Sequence, residues 1–175
     1  MTMREHSPSG NPGNALKRSI LTTDPALPIE GSVELNMSVE QLWQIFSDVP
    51  NWPRWNPCFW WARVLGGELK VDTILYWCFN PIRPQYLYKM PAIARIVECE
   101  PQRLVTWEVT SPPGFHALHS YKFEALGPNR CRFGSWEVAT GPLYQIMRSF
   151  WLAHFRFVCQ SSLAGAQTLA QEEGR

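Results

Sequence analysis

Alternation along residues 115–126 puts Phe115, Ala117, His119, Tyr121 and Phe123 on one side of a strand, and His116, Leu118, Ser120, Lys122 and Glu124 on the other. The first set is the more apolar and is expected to face the interior. There an imidazole near neutral pKa and a phenol, set among aromatic side chains, can exchange protons with a bound carbonyl compound. The bland alternative is a buried His and Tyr satisfied by nearby backbone groups. A later run, residues 130–140, carries a carboxylate. Cys131, Phe133, Ser135, Glu137 and Ala139 share one face, and Arg132, Gly134, Trp136, Val138 and Thr140 the other. Neither face is uniformly apolar, so alternation leaves the phase open. If Phe133 points inward, so does Glu137, and a carboxylate in an apolar cavity has a raised pKa suited to general acid or base work. If not, Glu137 is solvated or paired with an arginine such as Arg95 or Arg63. The candidate catalytic set is His119, Tyr121 and Glu137.

His154 falls on the stripe of Met147 and Phe150 in a late helical run, where a lone His is more often a packing residue than a catalyst. The four His have no H-x-x-x-H spacing, and His116 and His119 alternate to opposite strand faces, so no metal site is expected. No G-x-S-x-G, G-x-G-x-x-G or P-loop pattern occurs either, and no cofactor is implied.

These residues need a scaffold. A helix is expected from Gly141-Pro142 to about Glu172, since Pro at the first helical position loses no useful N–H and no further Pro follows. At 1.5 Å per residue that is roughly 45 Å of helix. Its apolar arc, with Leu143, Met147, Phe150, Trp151, Val158 and Leu169, is broad and needs a broad partner. Upstream, residues 29–35 read as a short strand near a sheet edge, and Ser38 with Gln41 forms a capping box opening a helix that ends near Pro50. Pro50, Pro53 and Pro57 limit the next segment to a turn or helical hook. Strands are then expected at 59–65, 73–79, 92–98, 103–110, 115–126 and 130–140, joined by short turns rich in Gly and Pro. With no helical crossovers, they form an antiparallel meander for the long helix to cover.

Composition narrows the partners. Sixteen basic and fifteen acidic residues leave a formal charge of +1, so no global field favours nucleic acid. Five Cys, odd in number and without a C-x-x-C pair, read as reduced thiols of a cytoplasmic protein. No segment has eighteen consecutive apolar residues, so no membrane span is expected, and residues 1–28 read as a disordered leader lacking a signal peptide's apolar run. Nine Trp, nine Phe and five Tyr make the chain more Trp-rich than a core of this size normally is, which fits either an aromatic-lined cavity or interface or plain core packing. The cluster Trp52, Trp55, Trp60 and Trp61, with Tyr76, Trp77, Phe79, Tyr86 and Tyr88, could wall a cavity mouth, with Pro81 to Pro84 as a lid and Arg83 meeting an acidic or phenolic ligand group; the alternative is that these aromatics wedge against each other and leave no room.

The order strand, helix, hook, six strands, long helix resembles the START-like (SRPBCC) superfamily, whose helix-grip fold is shared by aromatase/cyclases, the birch-pollen allergen family and lipid-transfer domains. Its polyketide cyclase/dehydratase branch is the most similar. The resemblance rests on S-V-E-Q-L-W-Q-I-F-S-D-V-P-N-W-P-R-W-N-P, A-R-V-L-G-G, E-C-E-P-Q-R-L-V-T-W and W-E-V-A-T-G-P-L, and covers residues 29–172 as one domain. It implies an α+β fold, a curved antiparallel sheet of about seven strands wrapped around the long helix, with two short helices after the first strand. It further implies a hydrophobic small-molecule ligand, aromatic or polyketide-like, between sheet and helix. Candidate ligand-binding residues are Trp61, Trp77, Trp107, Phe115 and Phe133 from the strands, Tyr88 from the connection after residue 79, and Met147, Phe150, Trp151 and His154 from the helix. Three roles remain open: a cyclase/dehydratase, a carrier, or a partner-binding domain whose cavity is filled. Monomer and homodimer are both compatible.

Overall fold

The computed structural model describes residues 28–112 and 114–173. The leader expected over residues 1–28 lies, but for residue 28, outside the described residues. The elements in chain order are β1 (Ile29–Leu35), α1 (Val39–Ser47), a 3-10 turn (Val49–Asn51), α2 (Trp52–Trp55), β2 (Phe59–Val64), β3 (Ile74–Phe79), β4 (Met90–Glu100), β5 (Leu104–Ser111), β6 (Phe115–Gly127), β7 (Arg130–Thr140), α3 (Pro142–Ile146) and α4 (Arg148–Glu173). The strands form one antiparallel sheet in the order β1-β7-β6-β5-β4-β3-β2, with β1 at an edge. It is a curled half-barrel gripping the long C-terminal helix, the helix-grip fold.

Local chemistry sets the first half. Ser38 Oγ accepts from the Gln41 N–H while the Gln41 side chain accepts from the Ser38 N–H, the reciprocal cap expected of this sequence. The Pro-broken hook packs inward as a plug: Trp52 is buried and its indole donates to the Phe46 carbonyl. Trp52, Tyr121, Phe123 and Phe133 then pack tilted or edge-on around Phe46, with ring centroids 5.0–6.1 Å from it, and fill the end of the half-barrel nearest α1 and α2.

The expected single helix is two. Gly141 leads in at φ 104°, and Met147, at φ −111° and ψ 26°, interrupts the helix between α3 and α4. This break resets the helical phase. Met147, which a continuous helix would align with Phe150 and His154, is exposed instead. Further along, α4 buries Ser162, Gly165, Ala166 and Ala170, small residues that bring it close to its neighbours. A Cβ at Gly165 would lie 1.9 Å from the Trp55 carbonyl oxygen, so the helix and the hook touch backbone to backbone.

Between β4 and β5 the ladder starts at Arg95 opposite Glu108. Residues 90–94 of β4 pair only with β3, and residues 109–111 of β5 only with β6. The sheet is therefore split at this end, and the Arg95–Glu108 ion pair sits at the crotch of the split. Pro91, without an N–H to offer a neighbour, stands in the unpaired stretch.

Candidate functional site

Where α1 and α2 plug one end of the half-barrel, the other end is left hollow. A cavity of about 380 Å³ lies between the sheet and the start of the long helix. Its walls come from Phe59, Trp77 and Phe79 on β2 and β3, Trp107 on β5, Phe115, Ala117 and His119 on β6, Glu137 on β7, and Leu143, Trp151, His154, Phe155 and Val158 on α3 and α4. Met90 to Ile93 and Val109 to Ser111 also line it, so it reaches solvent where β4 and β5 separate. The aromatic side chains pack on one another without filling the space, and the volume falls within the roughly 300–1,000 Å³ typical of small-molecule pockets.

Register decides which polar groups reach this cavity. His119 of β6 lies opposite Glu137 of β7 and Trp107 of β5, and all three project to the concave face. That settles the phase of β7: Cys131, Phe133, Ser135 and Ala139 are buried on the same side as Glu137. His119 Nδ1 stands 3.7 Å from Glu137 Oε2, and His119 Nε2 lies 3.0 Å from Ser135 Oγ. Both side chains are nearly out of water, at 5% and 9% exposure. Burial pushes the Glu137 carboxyl up to about 8. It pulls His119 down to about 3, with the nearby His154 adding to the effect, and His154 down to about 4. Among the described residues no Lys or Arg lines the cavity, so nothing there holds the carboxylate ionised.

Five buried side-chain polar atoms have no hydrogen-bond partner among the described residues: Glu137 Oε2, His154 Nδ1, and the indole nitrogens of Trp55, Trp77 and Trp151. All but that of Trp55 belong to side chains that line the cavity. Buried polar atoms ordinarily find partners, so the grouping of four such atoms around one hollow singles it out as the candidate site. The indole N–H is a donor only and asks for an acceptor oxygen or nitrogen.

The candidate residues divide. Trp77, Trp107, Phe115, His119, Glu137, Trp151 and His154 line the cavity. Tyr121 faces the interior as alternation requires, but it is not at the cavity: its ring packs on His119 at 4.4 Å and stacks on Phe133 at 5.2 Å, while its hydroxyl lies 2.6 Å from Ser162 Oγ of α4. Tyr121 and Phe133 sit under the aromatic plug and α4, where inward means filled core. Trp61 is on the outer face, edge-on to Tyr76, because a bulge after Phe59 shifts the register of β2. Met147 is turned out by the helix break, and Tyr88 and Phe150 pack against each other at the rim rather than in the wall. Trp60 is exposed, and Arg83 points to solvent away from the lining. Phe79, one of the aromatics expected at the cavity mouth, does line the cavity. The sequence does not mark Phe59, Phe155 or Ser135 as site residues; for Ser135 the available signal is its shared parity with Glu137.

Against known proteins, residues 27–160 match the model of the family described as polyketide cyclase / dehydrase and lipid transport. Among solved structures, the Zhui aromatase/cyclase from Streptomyces sp. R1128 superposes with a TM-score of 0.69 at 13% identity, over 85% of this chain and 96% of that chain. Norcoclaurine synthase from Thalictrum flavum gives 0.59 at 17% identity, over 85% and 96%. A START superfamily protein from Mycobacterium smegmatis gives 0.58 at 16%, over 81% and 98%. At these identities the likeness is one of fold. The comparison with curated proteins gave no match.

Proposed function

The chain belongs to the polyketide cyclase / dehydrase and lipid transport family, and from that membership and the cavity we propose that it takes up an uncharged, hydrophobic, oxygen-bearing small molecule, aromatic or polyketide-like, and catalyses its cyclisation and dehydration. The observation that carries this reading is the pairing of His119 and Glu137 in a wall that is otherwise largely apolar, beside two indole donors without partners. A ligand carboxylate would meet no cation there, whereas carbonyl or phenol oxygens match Trp77 and Trp151.

In the reaction, the cavity folds a poly-carbonyl chain so that a carbon next to one carbonyl approaches another. For loss of water from the resulting β-hydroxy carbonyl, the neutral His119 ring accepts the α-proton. Glu137, protonated near neutral pH, gives its proton to the departing hydroxyl as the C–O bond breaks. The imidazolium then returns its proton to the carboxylate 3.7 Å away, restoring both groups. Trp77 and Trp151 orient the carbonyl oxygens, and the apolar walls exclude water.

One observation favours a second reading, in which the protein only carries its ligand. His119, held down to about 3 by its burial, is a weak base. The test is a panel of aromatic and polyketide-like compounds followed by thermal shift and Trp fluorescence, then turnover assays with Glu137→Gln and His119→Gln. The enzyme reading expects turnover to vanish in both variants while binding persists. A carrier changes only in affinity, and a panel that neither quenches Trp nor raises the melting temperature overturns both.

A further inference from the structure

The rim of the cavity is more apolar outside than a solvated surface requires. Leu87, in the loop between β3 and β4, is 100% exposed, and Ile146, at the end of α3, is 82% exposed. Tyr86, Met147 and Trp60 are exposed as well. The two segments are neighbours: Tyr86 packs on Tyr88 at 6.1 Å, and Tyr88 on Phe150 at 6.4 Å, one turn beyond Met147. Trp60 joins them under Lys89, whose ammonium lies 4.8 Å from its ring centroid. Ile93, 65% exposed, links this surface to the split between β4 and β5 where the cavity opens.

Along these two segments charge is one-sided, while the Glu108 carboxylate at the split is taken up by Arg95. The chain has no Asp or Glu from Thr73 to Val97, nor from Val138 to Gln171. The exposed cations Arg83, Lys89 and Arg148 therefore flank the apolar side chains without a carboxylate on either segment. A near-neutral chain thus carries a local basic and apolar face at its cavity mouth. Apolar tips that enter the acyl boundary, Trp and Tyr at headgroup depth and cations beside them suit an anionic lipid surface.

We infer that this rim, formed by the β3–β4 loop and the α3–α4 junction, docks the protein on an anionic membrane surface and presents the cavity mouth to the bilayer, so that an apolar ligand passes between them without crossing water. The surface would serve whether the ligand is transformed or carried. The 175-residue chain is mixed with vesicles of phosphatidylcholine alone or of phosphatidylcholine with phosphatidylglycerol, and co-sedimentation is measured. Binding is expected only to the phosphatidylglycerol vesicles, weakening as salt rises. Leu87→Asp with Ile146→Asp is expected to abolish it, and each of Arg83→Glu and Arg148→Glu to weaken it by about fivefold or more. The charge variants alter only exposed side chains and keep the test valid if the apolar ones misfold. Wild-type protein that ignores anionic vesicles, or variants that bind as tightly as wild type, overturn the inference. So does a wild-type dimer in sedimentation velocity that Leu87→Asp turns into monomer, since the face would then belong to a second copy of the chain.

Discussion

Glu137 and His119 are register partners across β7 and β6, and their side chains bring Oε2 within 3.7 Å of Nδ1 at the wall of a cavity. Burial holds both neutral near pH 7, the carboxyl by raising it to about 8 and the ring by lowering it to about 3. They form a proton donor beside a neutral acceptor, and the arrangement has consequences for stability as well as for chemistry.

The native state keeps a proton on Glu137 that the unfolded chain releases above its ordinary 4.5, so this group makes stability fall as pH rises from there through about 8. His119 and His154 act oppositely. The unfolded chain protonates them below 6.5 while the native state resists down to about 3 and 4, so stability is lost as pH falls through that window. Denaturant titrations across pH should show a maximum near 6.5 and a decline toward 8. Glu137→Gln should flatten that alkaline limb and leave the acid limb intact. A wild-type protein that gains stability between 6.5 and 8 would mean that Glu137 is ionised when folded.

Tyr121→Phe should destabilise the fold and leave ligand affinity unchanged. The phenol is bonded to Ser162, which also accepts from Asn56 Nδ2 and donates to the Val158 carbonyl, so the hydroxyl ties β6 to α4 and the hook. Losing it costs about 1–2 kcal/mol. Melting temperature and ligand titration check this, and a variant that melts as wild type but binds weakly would return Tyr121 to the site.

His154→Leu should raise the melting temperature. The ring is buried against Phe79 at 4.7 Å with Nδ1 unpaired, and an unsatisfied buried polar atom costs about 1–3 kcal/mol that an apolar side chain of similar volume avoids. The same variant should show a smaller ligand-induced thermal shift if the ligand partners Nδ1. A drop in stability would reveal a native partner for this ring.

Gly165→Ala should lower stability by about 1–3 kcal/mol, although Ala is the better helix former by about 1 kcal/mol. The added methyl has the Trp55 carbonyl oxygen 1.9 Å away, and backbone cannot yield as a side chain can. Thermal denaturation with circular dichroism decides it. An increase in melting temperature would show that the hook and α4 do not touch there.

The sequence by itself determined the succession of strands and helices along the chain, the capping box at Ser38, the Pro-broken hook and the inward face of β6, because these follow from local geometry: two-residue alternation, three- and four-residue spacing, and the fixed φ of Pro. It also carried the family resemblance, which the match over residues 27–160 establishes. It did not determine the phase of β7, where both faces mix polar and apolar residues and only pairing with β6 puts Glu137 beside His119. Nor did it determine which inward residues meet empty space. Tyr121 and His119 share a face two residues apart, yet one lies under the aromatic plug and Ser162 and the other at the cavity wall. That difference arises where α4, broken from α3 at Met147, crosses the sheet, and the packing of distant segments has no signature in the local spacing of either one.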